Sequence, residues 1–254
     1  MYYQLPYWIL FFFIYCFLGW CIESTIVSVE TKTLTNRGFL RGPMLPIYGF
    51  GALTIIFCTI PVADNLFLSY IVGVVACTVL EYVCAVIMEG IFKTKYWDYT
   101  GQFMNFQGRI CLRSSLFWGV LTLFVIKVIH APISDFVTGR LGLAAASVID
   151  GVLLIWLFTD LYVSAKAAFD LNKVVAHLEE INVQLELAKM DLKDALAVRA
   201  EEAEQRVRAL AKRREEIRAE LGFAVRNLVR SNPTAVHKRF DKGLKDLKEL
   251  LKNR

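Results

Sequence analysis

Charge is scarce over the first two-thirds of this 254-residue chain: residues 1 to 165 hold nine Lys or Arg and nine Asp or Glu. A soluble domain carries about a quarter charged residues, so a single soluble core over this stretch is excluded. Proline is absent between residues 166 and 230, where the only glycine is Gly222, and a loop-rich or disordered tail is excluded there. Cysteine is missing from the tail. Cys16, Cys21, Cys58, Cys77, Cys84 and Cys111 lie in or beside apolar runs, as small apolar fillers do and a secreted disulfide scaffold does not. The three histidines, His130, His177 and His237, are too scattered to hold a metal. The chain has no Gly-x-x-x-x-Gly-Lys-Ser/Thr, so it builds no P-loop ATPase of its own. It also lacks His-Glu-x-x-His and Gly-x-Ser-x-Gly. No metal and no cofactor is expected. The N-terminus has neither a basic leader nor a small-residue cleavage site, so the first apolar run is expected to be retained.

What is present is apolar helix. A bilayer core of about 30 Å takes roughly 20 apolar residues as helix. Five runs qualify, at residues 7–29, 44–61, 66–92, 115–131 and 141–162, the second and fourth being the shortest. They are too long and too evenly apolar for the alternating strands of a membrane β-barrel. The expected fold is all-α: a polytopic bundle of five transmembrane helices over residues 1–165.

Lys and Arg in the short loops set the orientation. With five spans, loops 30–43 and 93–114 share a side with the tail and carry Lys32, Arg37, Arg41, Lys93, Lys95, Arg109 and Arg113. The opposite side has Lys127 and Arg140. Seven against two predicts the N-terminus outside and the C-terminus in the cytoplasm. Tyr2, Tyr3, Tyr7 and Trp8 would anchor the outer interface.

The tail holds the other twenty basic and fifteen acidic residues, which is the whole formal charge of +5. Apolar residues recur at Leu171, Val174, Leu178, Ile181, Leu185, Ala188 and Leu192. After a four-residue step they continue through Leu196, Ala203, Val207, Leu210, Ile217, Leu221 and Leu228. This predicts a coiled-coil helix over 166–231 with a stutter between Leu192 and Leu196. Unbroken, it would reach about 95 Å. Asn232-Pro233 ends it, and a basic amphipathic helix over 232–254 follows, with Val236, Phe240, Leu244, Leu247 and Leu251 on one face. Three uses stay open: dimerisation through the coil, an antiparallel fold-back of the last helix, or docking of that helix on anionic lipid. Lys212-Arg213-Arg214 is followed by Glu215 and Glu216, a solvated helix face rather than a nucleic-acid patch.

The polar residues within the apolar part carry the functional expectation. Glu81 and Glu89 lie on one helix, about 12 Å and 80° apart. Glu23 lies near the inner end of the first run, and Asp150 and Asp160 lie in the fifth. Ionised groups at such depth face partners or wet cavities. The first inner loop is broken by glycine and proline as it enters the second run, through Gly38, Gly42, Pro43, Pro46 and Gly49, a backbone suited to line a cavity. The second inner loop is apolar enough to dip into the membrane as a re-entrant segment, with Ser114-Ser115 as the expected N-cap of the next helix. Glu23, Glu81, Glu89, Asp98, Arg37, Arg41, Arg109 and Arg113 fall at one level, with Asn36 and Asn105 beside them. Four acids and four arginines form either a salt-bridge lock or a substrate site with Arg forks for an anion.

The motif Asn36-Arg37-Gly38-Phe39-Leu40, with Gly42-Pro43 and Pro46-Ile47-Tyr48-Gly49, resembles the CmpB-like family of type IV ABC-transporter permeases from bacteria. So do the Glu81/Glu89 pair, Trp97-Asp98-Tyr99, Asn105 and Gly108-Arg109-Ile110-Cys111-Leu112. The resemblance covers roughly residues 8 to 165 and leaves the tail outside. It implies a transport role in the bacterial cytoplasmic membrane, with a separate ATPase subunit as partner. The expected function is a permease-like component with a polar site at the inner leaflet, homo-oligomeric because five spans make a thin pathway. An enzyme acting on a lipid or isoprenoid headgroup and a coiled-coil scaffold anchored in the membrane are the alternatives.

Overall fold

The computed structural model describes residues 3–194 and 197–252. Helix α1 (Leu5–Thr31) opens on Pro6, whose fixed φ suits the first turn, and ends at Lys32 in the left-handed region. Helix α2 (Pro46–Thr59) runs into a 3-10 turn, Ile60–Val62. Prolines 46 and 61 bracket it, which is why it is short. Helix α3 (Leu66–Phe92) is capped by Asn65, whose side chain accepts the Leu68 N–H, and stops at Lys93 with φ 54°. Helix α4 (Leu112–Phe124) continues through a π turn, Val125–Ile129, into α5 (His130–Arg140).

Helix α6 (Leu143–Asp194) has 52 residues, about 78 Å at 1.5 Å per residue. Its first part packs on α1 and its second part leaves the bundle as the stem of the tail. Helices α1, α3 and α6 and the α4–α5 rod are long and apolar enough to cross a membrane, and α2 is a shorter apolar helix. These helices mark a multi-pass membrane protein. The connection between the runs ending at residue 131 and starting at residue 141 is helical, because the π turn absorbs the irregularity without breaking the rod. His130 is therefore on a helix, where it meets the hydroxyls of Tyr3 at 3.2 Å and Tyr15 at 3.1 Å.

The bundle interior is aromatic and aliphatic: Leu10, Phe11, Ile55, Ile56, Trp118 and Val137 are buried together. Helices α3 and α4 approach closely at Gly73, where a Cβ would overlap the Thr122 side chain; small residues allow such approaches between apolar helices.

The tail differs from the expected single helix. After α6, helix α7 (Ala197–Glu220) returns along it, and α8 (Phe223–Ser231) and α9 (Asp241–Lys252) pack on the same stem. The expected stutter involves Leu196, outside the described residues. Gly222, in extended conformation, separates α7 from α8. Leu171, Val175 and Leu178 of α6 form one core with Leu221, Leu228, Leu244 and Leu247. The apolar seam is thus filled from within the chain by α7, which runs antiparallel to the stem. The last helix is not the antiparallel fold-back expected but runs parallel to α6, with His237 against Asn172, Gly243 against Glu179 and Asp246 against Asn182. A two-residue ladder, β1 (Thr94–Lys95) with β2 (Val236–His237), ties the tail to the second loop.

Candidate functional site

The polar side chains gather at the end of the bundle nearest the tail, in three groups and not one ionic layer. The first surrounds Glu81, which is 5% exposed. Tyr99 donates its hydroxyl to Oε1 at 3.1 Å, Ser114 Oγ reaches both oxygens at 2.8 and 3.0 Å, and Trp118 Nε1 donates to Oε2 at 3.1 Å. All three donors are neutral, and no cation pairs with this carboxylate among the described residues. Burial, followed by the Glu81 charge, pushes the Tyr99 hydroxyl far above the usual tyrosine range, so it stays a donor. Cys111, not Ser114, caps α4, its Sγ accepting the Ser114 N–H at 3.4 Å. That frees the Ser114 hydroxyl for Glu81.

The second group is built on Glu23. Tyr48 donates to its Oε1 at 2.7 Å, and Arg37 Nε lies 4.0 Å from Oε2. The Tyr48 ring sits 5.8 Å from the ring of Trp118, so the two groups adjoin through an aromatic pair. Arg37 spends its best hydrogen bonds on the tail, donating at 3.1 Å to the Ser231 carbonyl and at 3.1 Å to Asn232 Oδ1. Burial lowers the pKa of its guanidinium, with Glu23 opposing. Asn232 in turn donates to the Gly38 carbonyl at 2.9 Å.

The third group is Glu89, also 5% exposed. Arg109 approaches its Oε2 through Nε at 2.9 Å and Nη2 at 2.8 Å, and Lys238 of the tail reaches Oε1 at 3.2 Å. Trp97 fixes the Arg109 carbonyl at 3.0 Å.

The other expected residues are scaffolding. Asn36 accepts from Trp20 at 2.5 Å and donates to the Arg41 carbonyl at 2.6 Å. Arg41 lies over the Phe223 ring, while the backbone N–H groups of Arg41 and Gly42 donate to Asp160 at 3.2 and 2.7 Å. Asp98 accepts from Thr100 and lies 3.8 Å from Lys95. Asn105 stitches its own loop. Arg113 is exposed on the first turn of α4 and makes no ion pair among the described residues. Of the four arginines, only Arg37 and Arg109 meet expected acids. Sequence reasoning passed over Tyr48, Tyr99, Ser114, Trp118, Asp160 and Lys238 as partners. The first two stood within the quoted motifs, whereas nothing distinguished Lys238 from the other tail lysines.

A bundle of long apolar helices that buries carboxylates near one end defines the class: a polytopic membrane protein with polar side chains in its interior. The chain belongs to the family described as "Putative ABC-transporter type IV", which it matches over residues 10–165. No curated protein and no solved structure matches it.

Proposed function

We propose that the chain is the membrane component of a transport system, with Glu81 as the cargo-contacting group of a site at the cytoplasmic leaflet. One observation carries the reading: a buried carboxylate on α3 held, among the described residues, solely by neutral donors from α4 and the loop that precedes it. A paired carboxylate is locked, because removing its cation costs several kcal/mol. A carboxylate held by hydroxyls and an indole exchanges one donor for another at small cost. A cargo with an ammonium or hydroxyl group can therefore replace Tyr99 or Ser114 on Glu81. The anion-fork alternative loses its support because Arg109 is committed to Glu89 and Arg37 to the tail.

In this reading α2 serves as a fifth, short span, the N-terminus is outside and the tail cytoplasmic, as the seven-to-two basic bias favours. Energy comes from a separate ATPase subunit, and a second copy completes the pathway. The test is flux through proteoliposomes containing the chain and whatever ATPase copurifies with it. Glu81→Gln, Tyr99→Phe and Ser114→Ala should fold and change flux or apparent affinity. Unchanged transport in all three sinks the assignment of Glu81.

A further inference from the structure

The loop between β1 and α4 presents Phe103, Met104 and Phe106 with 77%, 66% and 55% of their surfaces exposed. Apolar side chains at that density on a fixed loop mark an interaction surface. The loop is fixed. Met104, Gln107 and Gly108 have positive φ, and a Cβ on Gly108 would overlap Asp98 Oδ1.

Much of its polar backbone is paired from within. Tyr99 N–H donates to the Gly108 carbonyl at 2.8 Å and Gln102 N–H to the Tyr99 carbonyl at 2.8 Å. Phe106 N–H donates to the Ile110 carbonyl at 2.9 Å and Arg109 N–H to the Phe106 carbonyl at 3.0 Å. The Asn105 amide donates to the Thr100 and Gln102 carbonyls at 3.0 and 2.9 Å, and its oxygen accepts the Gly108 N–H at 3.2 Å. Irregular backbone needs such internal pairing where water is absent; a loop in bulk water does not.

Depth follows from α3. The Phe106 ring lies 5.7 Å from that of Tyr82, and the Tyr82 hydroxyl donates to Gln107 Oε1 at 3.1 Å. Tyr82 stands about 24 Å along α3 from Leu66 at 1.5 Å per residue. With Leu66 at the far boundary, that falls short of the roughly 30 Å hydrocarbon thickness. The exposed apolar faces continue on either side, through Val79 and Val83 on α3 and Leu116 and Phe117 on α4. Toward the tail the loop turns polar, with Lys95, Asp98 and Arg109 at its base.

We propose that this loop is a lipid-inserted wedge: Phe103, Met104 and Phe106 lie among the acyl chains of the leaflet nearest the tail. The loop also carries Tyr99 and Arg109, so lipid contact holds the Glu81 and Glu89 groups in register. The inference rests on α3 crossing the bilayer and not on any transport activity.

The test uses the full chain in vesicles of phosphatidylcholine and phosphatidylglycerol, with Met104→Trp and, separately, Phe103→Trp. Emission of the added indole is obtained by difference from the parent protein. The expected result is a blue-shifted difference emission, lost to lipids brominated on the upper acyl chain and spared by aqueous iodide. Loss to iodide with no effect of bromolipid overturns the proposal, since the loop is then in water. Shielding from both quenchers also overturns it, because a protein surface then covers the loop. Bromolipid quenching combined with unaltered flux in Glu81→Gln, Tyr99→Phe and Ser114→Ala would leave the wedge standing and defeat the site assignment.

Discussion

Removing Arg109 should destabilise the protein several times more than removing Lys238, although both contact Glu89. Glu89 is 5% exposed, so its charge has little water to fall back on. The Arg109 side chain is 18% exposed and places two nitrogens within 2.9 Å of one carboxylate oxygen. Truncating one member of such a pair leaves a stranded charge and costs about 3 kcal/mol. Lys238 is 61% exposed at 3.2 Å, and a solvent-screened contact of that kind contributes about 0.5 kcal/mol. For a chain of this length, 1 kcal/mol moves a melting temperature by roughly 2–4 °C. Arg109→Ala should therefore lower the midpoint by about 6–12 °C and Lys238→Ala by about 1–2 °C. The native thiols provide the assay. Cys16, Cys77 and Cys111 are buried, so a thiol-reactive dye reports opening of the bundle in detergent. Adding Glu89→Leu to Arg109→Ala should recover most of the loss, since an apolar replacement removes the stranded charge. Equal losses for the two cation variants, or no recovery in the double variant, would refute the reasoning.

Three further outcomes follow from other contacts. His237 is buried, its Nδ1 accepting from the backbone of Arg239 and Phe240 at 3.2 and 2.9 Å, with Nε2 3.2 Å from Asn172 Oδ1; burial lowers its pKa, with Asp241 opposing. The unfolded tail then binds the proton more readily, so the stability it contributes is full above about pH 6.5. That stability falls as pH drops toward the lowered folded value, and hydrogen exchange corrected for intrinsic rate should show weaker protection of α9. His237→Asn, which keeps an acceptor that does not titrate, should flatten this response; protection that strengthens on acidification would contradict the sign. Gly73→Val should lower the melting midpoint through overpacking against Thr122, by about 1–3 kcal/mol, whereas Gly90→Ala, with open space around it, should gain about 0.5–1 kcal/mol. Among the described residues neither carboxylate oxygen of buried Asp150 has a hydrogen-bond partner, so Asp150→Leu should raise the midpoint by the equivalent of about 1–3 kcal/mol; a clear drop would reveal a partner.

The membrane half of the fold was legible because bilayer thickness imposes a length on any apolar run, and four of the runs became long helices. The rod from Leu112 to Arg140 outran its predicted end at residue 131 because Pro132, which reads as a stop, falls in the first turn of α5 just after the π turn, where a proline is tolerated. The tail was harder. A seam such as Leu171, Leu178 and Leu185 looks the same whether a second copy or a returning helix fills it. Gly222, read as a lone exception within a helix, is where α7 gives way to α8. At the site, counting charges put eight residues at one level without assigning pairs; the structure pairs Glu89 with Arg109 and Glu23 with Arg37, while Glu81 takes only neutral partners among the described residues. Ser114 looked like a cap because its position before an apolar run permits that role, and only the packing of α4 on α3 decides between the two.

The tail's contacts also have an order in time. The chain is synthesised from its N-terminus, so loops 36–45 and 94–109 exist well before Ser231, Asn232 and Lys238 reach them. Until those residues arrive, Arg37 lacks two acceptors, Glu89 lacks one cation, and β1 has no strand to pair with. The bundle is thus made with that end unsealed, and the tail, made after it, closes it.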